Sequence, residues 1–135
     1  MTYAPDRPVS SRRKGFLLWG AVSGGLAVAA GAFGAHALKD SMPPDRLAIF
    51  ETGAKYQMYH ALALLAMSCR PASVQSRRLA AAGVLFIVGI CLFSGSLYAL
   101  AFTGIHGLGI ITPFGGVSWL LGWALLVLAA FRGES

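Results

Sequence analysis

Three apolar runs, residues 15–38, 79–103 and 113–131, set the terms on which this chain can fold. Each is about as long as the roughly 20 residues that an α-helix, rising about 1.5 Å per residue, needs to cross a hydrocarbon core about 30 Å thick. Only 12% of the 135 residues are charged and the mean hydropathy is +0.66, against about 25% charged in an ordinary soluble domain. The sequence reads as a single all-α integral membrane domain.

A fourth crossing has to come from residues 44–68, where ETGAKYQMYH, residues 51–60, puts Glu51, Lys55, Gln57 and His60 directly ahead of the apolar ALALLAM. The uncharged part, residues 57–69, is too short to cross alone, so the span takes in Glu51 and Lys55. Pro43 and Pro44 suit a helix start, with Asp40 or Ser41 as cap and Asp45 in the first turn. A rival reading, an interfacial helix over 44–52 broken at Gly53, leaves too little to cross. The expectation is a four-helix bundle with spans at about 15–38, 44–68, 79–103 and 113–131. A basic tail over 1–14 precedes it and a short tail over 132–135 follows.

Charge placement orients the bundle, because Lys and Arg accumulate on the cytoplasmic side of short loops. With four spans, Arg7, Arg12, Arg13 and Lys14 share a side with Arg70, Arg77, Arg78 and Arg132. The other side holds Lys39 and Arg46, offset by Asp40 and Asp45, and the connection over 104–112 has no formal charge. Both termini are therefore expected in the cytoplasm. The net charge of +6 is a topology signal that suits anionic headgroups of the lipid bilayer. It does not suit a nucleic acid, since the basic residues lie in short flanks with no folded basic domain behind them. SRRKGFLL with Ala35–Ala37 resembles a twin-arginine export signal and its cleavage site. The apolar run, at about 22 residues, is too long for a signal core of about 7–15, and a glycine replaces the usual aromatic residue after the basic triplet. Cys69 and Cys91 have no second cysteine at metal or redox spacing and imply no disulfide.

Small residues recur at spacings of three and four along the first span, which makes Gly20, Gly24, Ala27 and Gly31 a helix-packing face of the kind that holds membrane helices together by close contact. An antiparallel hairpin sets Glu51 level with Gly31, Lys55 with Ala27 and His60 with Ser23. A second turn brings Gly95 level with Gly53, so that Ser94 and Ser96 bracket the charged pair, and the last span brings Ser118 and Trp119 to a similar height. Glu51, Lys55, Ser94, Ser96 and His60 form a candidate intramembrane polar layer. An ionised Glu or Lys near a helix centre costs about 2.5–3.5 kcal/mol, and the two stand at i and i+4 with the acid first, the favourable order. Such a layer is either a packing clasp or an ion or proton site.

His36, Met58, His60 and His106 offer metal-ligand chemistry, but His36 and His60 are separated by about 18 Å or more in depth by helix rise, so no metal site is assigned, and no cofactor. A Ser/His/Asp arrangement, a glycine-rich phosphate loop and paired carboxylates are all missing from the sequence. Five acidic residues leave little for acid–base catalysis, so the chain is not read as an enzyme.

Four blocks carry a family resemblance: GAFGAHALKD at 31–40, FETGAKYQMYHALALL at 50–65, LFSGSLYALAFTGI at 92–105 and GIITPFGGVSWLLGW at 109–123. Together they resemble the YgdD-like family of small four-helix membrane proteins, a domain of unknown function. The resemblance covers residues 16–131 and implies a four-helix protein of the bacterial inner membrane. It carries over no reaction, ligand or catalytic residue, and makes His36, Glu51, Lys55, Tyr56, His60, Ser94, Gly95, Ser96, Thr112 and Pro113 motif positions without assigning roles. The leading functional reading is a non-enzymatic accessory or assembly component, as a homo-oligomer or within a larger membrane complex. The alternative is an oligomeric ion- or proton-coupled carrier in which Glu51 titrates against Lys55. A weaker third reading is a redox accessory using the histidines.

Overall fold

The computed structural model describes residues 11–71 and 76–133, and the regular elements within them are all helical. Arg7, with most of the basic tail, lies outside the described residues, as do the last two residues of the C-terminal tail. Helix α1 (Ser11–Phe33) runs on through a π-helical turn, Gly34–Leu38, and α2 (Pro44–Ser68) returns beside it. Helix α3 (Arg77–Gly89), a second π turn (Ile90–Ser94) and α4 (Gly95–Thr103) form one continuous third rod. A 3-10 turn, His106–Ile110, leads into α5 (Thr112–Phe131).

Three of these rods, Ser11–Leu38, Arg77–Thr103 and His106–Phe131, are long and apolar enough to cross a membrane. Helix α2 is too polar on average to qualify by composition, yet it lies antiparallel to α1 along its whole length. Gly34 meets Phe50 at one end, Gln57 bonds Ser23 in the middle, and Arg13 bonds Ser68 at the other end. The two helices therefore share the same axial range.

The corners follow from local chemistry. Pro44 occupies the first turn of α2, where its missing N–H would have no partner anyway, and Pro43 is the N-cap. The cap expected from Asp40 or Ser41 is not formed. Both lie in the turn before it, and Ser41 Oγ instead donates to Ala37 O at 3.0 Å, satisfying the end of the first rod. Ser76 caps α3, its hydroxyl accepting from the Leu79 N–H at 3.2 Å. Gly104 closes α4 with φ +70, a left-handed conformation that suits a residue without Cβ. Arg46 reaches across from α2 and donates to the terminal carbonyls of Ala101 (2.7 Å) and Phe102 (2.6 Å). A guanidinium on the last carbonyls is favourable both as a hydrogen bond and against the helix dipole.

Helix α1 packs chiefly on α2, α5 packs chiefly on α3 and the second π turn, and α2 and the third rod form the centre. One apolar cluster joins α2, α3 and α5 through Leu64, Phe86, Ile90 and Trp119, and a smaller one joins Leu38, Phe50 and Ala101. The outward faces of α1 and α5 carry Leu18, Leu26, Val28, Phe114 and Leu120, as lipid-facing surfaces do. Close approach depends on glycine where α5 meets the third rod. A Cβ on Gly115 would stand 2.7 Å from Phe93 Cβ and 2.8 Å from its Cα, and one on Gly89 would overlap the Trp119 indole.

Candidate functional site

The polar chemistry of the interior is organised by one stripe of α2. Gly53, Gln57, His60 and Leu64 are buried and stand at i, i+4, i+7 and i+11, a single helical face. Gln57 uses both ends of its amide: Nε2 donates to Ser23 O on α1 at 2.8 Å, and Oε1 accepts from the Tyr98 hydroxyl of α4 at 2.9 Å. One side chain thereby ties three helices. Ser94, brought round by the second π turn, donates through Oγ to Gly53 O at 2.8 Å. Ser96 Oγ shares a 2.7 Å hydrogen bond with Thr112 Oγ1 at the start of α5.

His60 is the centre of an aromatic cage. Its ring stacks on the Trp119 indole with centroids 3.8 Å apart and planes 4° from parallel, and Phe86 lies 5.5 Å away. Trp123 Nε1 can only donate, and it points at His60 Nε2 at 3.2 Å. Nε2 is therefore the acceptor, and the proton sits on Nδ1, which lies 2.8 Å from Tyr56 O and donates to it. The imidazole is held as the neutral Nδ1–H tautomer with both nitrogens engaged. Tyr56 extends the cage, 6.0 Å from Trp119 and 5.3 Å from Phe93.

The residues singled out from sequence divide between two faces. Ser94, Ser96 and His60 are buried, whereas Glu51 and Lys55 are exposed, on an outward stripe of α2 shared with Ala48, Leu62 and Ala66. Neither Glu51 nor Lys55 forms an ion pair among the described residues. Glu51 and Gly53 are close in height, but two residues are about 200° of helical rotation, so the carboxylate points away from the group that Ser94 bonds. On α1, Gly20 meets Leu65, and Ser23 and Ala27 are buried beside it. Gly24 makes ordinary contact with Ala61, while Gly31 is exposed with nothing near its Cβ position. The glycine beside Glu51 is Gly34, whose Cβ would lie 3.9 Å from Glu51 Cγ.

Gln57, Tyr98 and Ser23 were not assigned to the layer, although Gln57 is named in its segment and Ser23 is set level with His60 by the sequence. The signal was present: a glutamine at i+4 from Gly53, among Ala54, Ala61 and Leu64, sits on the face richest in small and apolar residues. His36 and His106 are exposed at the end of the molecule that holds Arg46, opposite Arg12, Arg13 and Arg70, and no three His, Cys, Asp or Glu side chains cluster among the described residues. Cys69 and Cys91 are free and exposed.

A family model described as a protein of unknown function, DUF423, matches residues 30–116. Among curated proteins, the UPF0382 membrane protein YwdK of Bacillus subtilis is 43% identical over 120 residues, covering 88% of this chain and 98% of that one. The UPF0382 membrane protein SAB0533 of Staphylococcus aureus is 44% identical over 117 residues, 87% and 95% of the two chains. The UPF0382 inner membrane protein YgdD of Escherichia coli is 41% identical over 120 residues, 86% and 88% of the two chains. No solved structure matches the chain.

Proposed function

The chain belongs to the DUF423 family of membrane proteins, and from that premise we propose that it is a non-enzymatic assembly component, joining a second copy of itself through the outward stripe of α2. It is a multi-pass, all-α protein of the bacterial inner membrane. The observation that carries the proposal is the contrast between the two faces of α2. The inward polar groups are satisfied within the chain, and the two charges, Glu51 and Lys55, face out with no partner among the described residues.

Charge on a lipid-facing helix surface costs about 2.5–3.5 kcal/mol per group near mid-membrane, which favours a protein surface over lipid at this stripe. A second copy supplies the complement. In a parallel pair related by a two-fold axis, Glu51 of one chain stands one helical turn from Lys55 of the other. Side chains lean toward the helix N-terminus, so the lysine reaches back to the level of the glutamate. Ala48 and Ala66 stand near the two ends of the stripe, with Tyr59 and Leu62 exposed between them to supply apolar contact.

The carrier reading needs Glu51 on an interior route, and the inward face of α2 is instead occupied by hydrogen-bonded Gln57 and His60. The clustering of Arg12, Arg13, Lys14, Arg70, Arg77, Arg78 and Arg132 favours placing that end, with both termini, in the cytoplasm.

Single cysteines at Ala48, Leu62 and Ala66, in a chain with Cys69 and Cys91 replaced by Ala, test the interface. Cross-linking within membranes is expected at these positions and not at Leu18 or Leu120. The combined swap Glu51→Lys with Lys55→Glu is expected to keep the cross-link that either single change weakens. A wild-type chain that stays monomeric and uncross-linked would overturn the proposal. A folded Glu51→Gln variant that selectively loses a proton-linked flux in proteoliposomes would move the reading to the carrier.

A further inference from the structure

At the basic end, the start of α1, the end of α2 and the start of α3 enclose a narrow, open cleft of about 30 Å³. Its lining has two halves. Arg12, Arg13 and Arg70 supply guanidinium groups, and Phe16, Met67 and Leu79 supply an apolar floor. Arg13 is engaged in the fold, its Nε donating to Ser68 O at 3.1 Å. Arg70 is different: its Nη1 is buried from solvent and has no hydrogen-bond partner. A buried cationic donor without an acceptor is unfavourable, and a water, an ion or a ligand can supply the acceptor.

The charge pattern says what the missing acceptor is. Among the described residues the only carboxylates are Asp40, Asp45 and Glu51, none of which lines the cleft; Asp6 and Glu134 fall outside the described residues. Helix α3 begins at the cleft rim, with Ser76 as its N-cap, and a helix N-terminus adds partial positive charge. A guanidinium is matched to phosphate oxygens by its planar fork. An apolar floor directly beside the arginines does not suit a free anion and does suit an ester that carries hydrocarbon.

We propose that this cleft is a binding site for the phosphate of an anionic phospholipid, held by Arg12 and Arg70 with the upper acyl chain lying on Phe16 and Leu79. The site is separate from the outward stripe of α2, and its test does not depend on self-association.

Native mass spectrometry of the full chain in detergent tests the site, with phosphatidylglycerol, phosphatidylcholine or inorganic phosphate added separately. One phosphatidylglycerol per chain is expected to be retained in preference to phosphatidylcholine. Arg70→Gln and Arg12→Gln should each lower that retention about fivefold, the effect of one basic residue at a lipid surface. Lys14→Gln removes the same charge on the same helix but outside the cleft lining, and should leave retention within twofold. Arg12 is exposed, so its variant carries the test if Arg70→Gln fails to fold. Equal loss in Lys14→Gln would reduce the effect to diffuse surface charge and overturn the site. Displacement of the lipid by millimolar inorganic phosphate, with Phe16→Ala binding as well as wild type, would make it a free-anion site and overturn the lipid assignment.

Discussion

Replacing Gly115 by alanine probes a close backbone approach between α5 and the third rod. The new Cβ would overlap the Phe93 amide nitrogen and stand 2.7 and 2.8 Å from Phe93 Cβ and Cα, where carbon atoms prefer about 3.5–4.0 Å. Backbone cannot swing aside as a side chain can, so α5 and the third rod must part by about 1 Å to restore ordinary contact. Hydrogen bonds across that seam have little slack. Trp119 Nε1 to Phe86 O is 3.2 Å, Ser118 Oγ to Leu85 O is 2.8 Å and Ser96 Oγ to Thr112 Oγ1 is 2.7 Å. Interhelical hydrogen bonds in membranes average about 0.6 kcal/mol each, and overpacking costs about 1–3 kcal/mol. With the three bonds lost and about 1 kcal/mol offset by alanine's better helix propensity, the loss should be about 2–4 kcal/mol. Gly31→Ala is the control, since its Cβ meets nothing within 4 Å and should be neutral or stabilising. Reversible unfolding in mixed detergent micelles, followed by tryptophan fluorescence, measures both. A Gly115→Ala variant as stable as Gly31→Ala would refute the seam as described.

Other features give separate outcomes. Gln57→Leu and Tyr98→Phe, measured singly and together by the same unfolding assay, should show a coupling of about 0.6 kcal/mol and no more than about 1.7; zero coupling would mean the amide and phenol do not bond. Nitrogen NMR of the labelled histidines should show His60 as the neutral Nδ1–H tautomer, and Trp123→Phe should free Nε2 and shift its resonance alone. Arg46→Met should lower stability by about 1–2 kcal/mol, since charged hydrogen bonds contribute about 1.5–3 kcal/mol when formed and a partly exposed site recovers some of that from water; no change would remove its capping role at α4. Residues 44–68 alone, in a glycosylation-reporter assay, should insert poorly and should insert well when preceded by α1. Efficient insertion alone would mean that the charges of α2 are tolerated by lipid.

Much of this architecture is legible in the sequence because the bilayer leaves so few choices. Apolar runs of spanning length must be helices, and prolines and glycines mark their ends at Pro44, Gly104 and Pro113. Height is legible too: the turn between α2 and α3 was enough to place Gly53 level with Gly95, and the observed bond from Ser94 to Gly53 lies within one residue of that register. The α1–α2 register was less well placed, with Ser23 meeting Gln57 rather than His60. Azimuth was the harder quantity. Charge drew attention to Glu51 and Lys55, but the periodicity of α2 puts them about 200° from Gly53 and Gln57. The π turns are a further reason. Each inserts an extra residue into a turn and rotates all that follows, which carries Ser94 onto α2 in a way no regular 3.6-residue repeat anticipates.

The placement of α2 at the centre follows from its being the least apolar rod. A helix with Gln57 and His60 inside and Glu51 and Lys55 outside has no face that lipid alone can satisfy. Ser23 of α1 answers Gln57 first, because α1 is made first and pairs with α2 along its full length. Arg13 secures the far end of the same hairpin through Ser68 O. Tyr98 and Ser94 can contribute only when the third rod arrives, and Trp123 reaches His60 only when α5 closes on it. Each later rod thus satisfies a polar group that the earlier ones leave open, so the order of synthesis matches the order in which α2 loses its exposed donors and acceptors. A chain truncated after α4 would keep the Gln57 bonds and lose the cage around His60, leaving an imidazole nitrogen and the Phe86 carbonyl without their indole partners. Among the described residues, the pair Glu51 and Lys55 on the outward stripe of α2 stays without an ion-pair partner, as Arg70 Nη1 stays without an acceptor at the basic end.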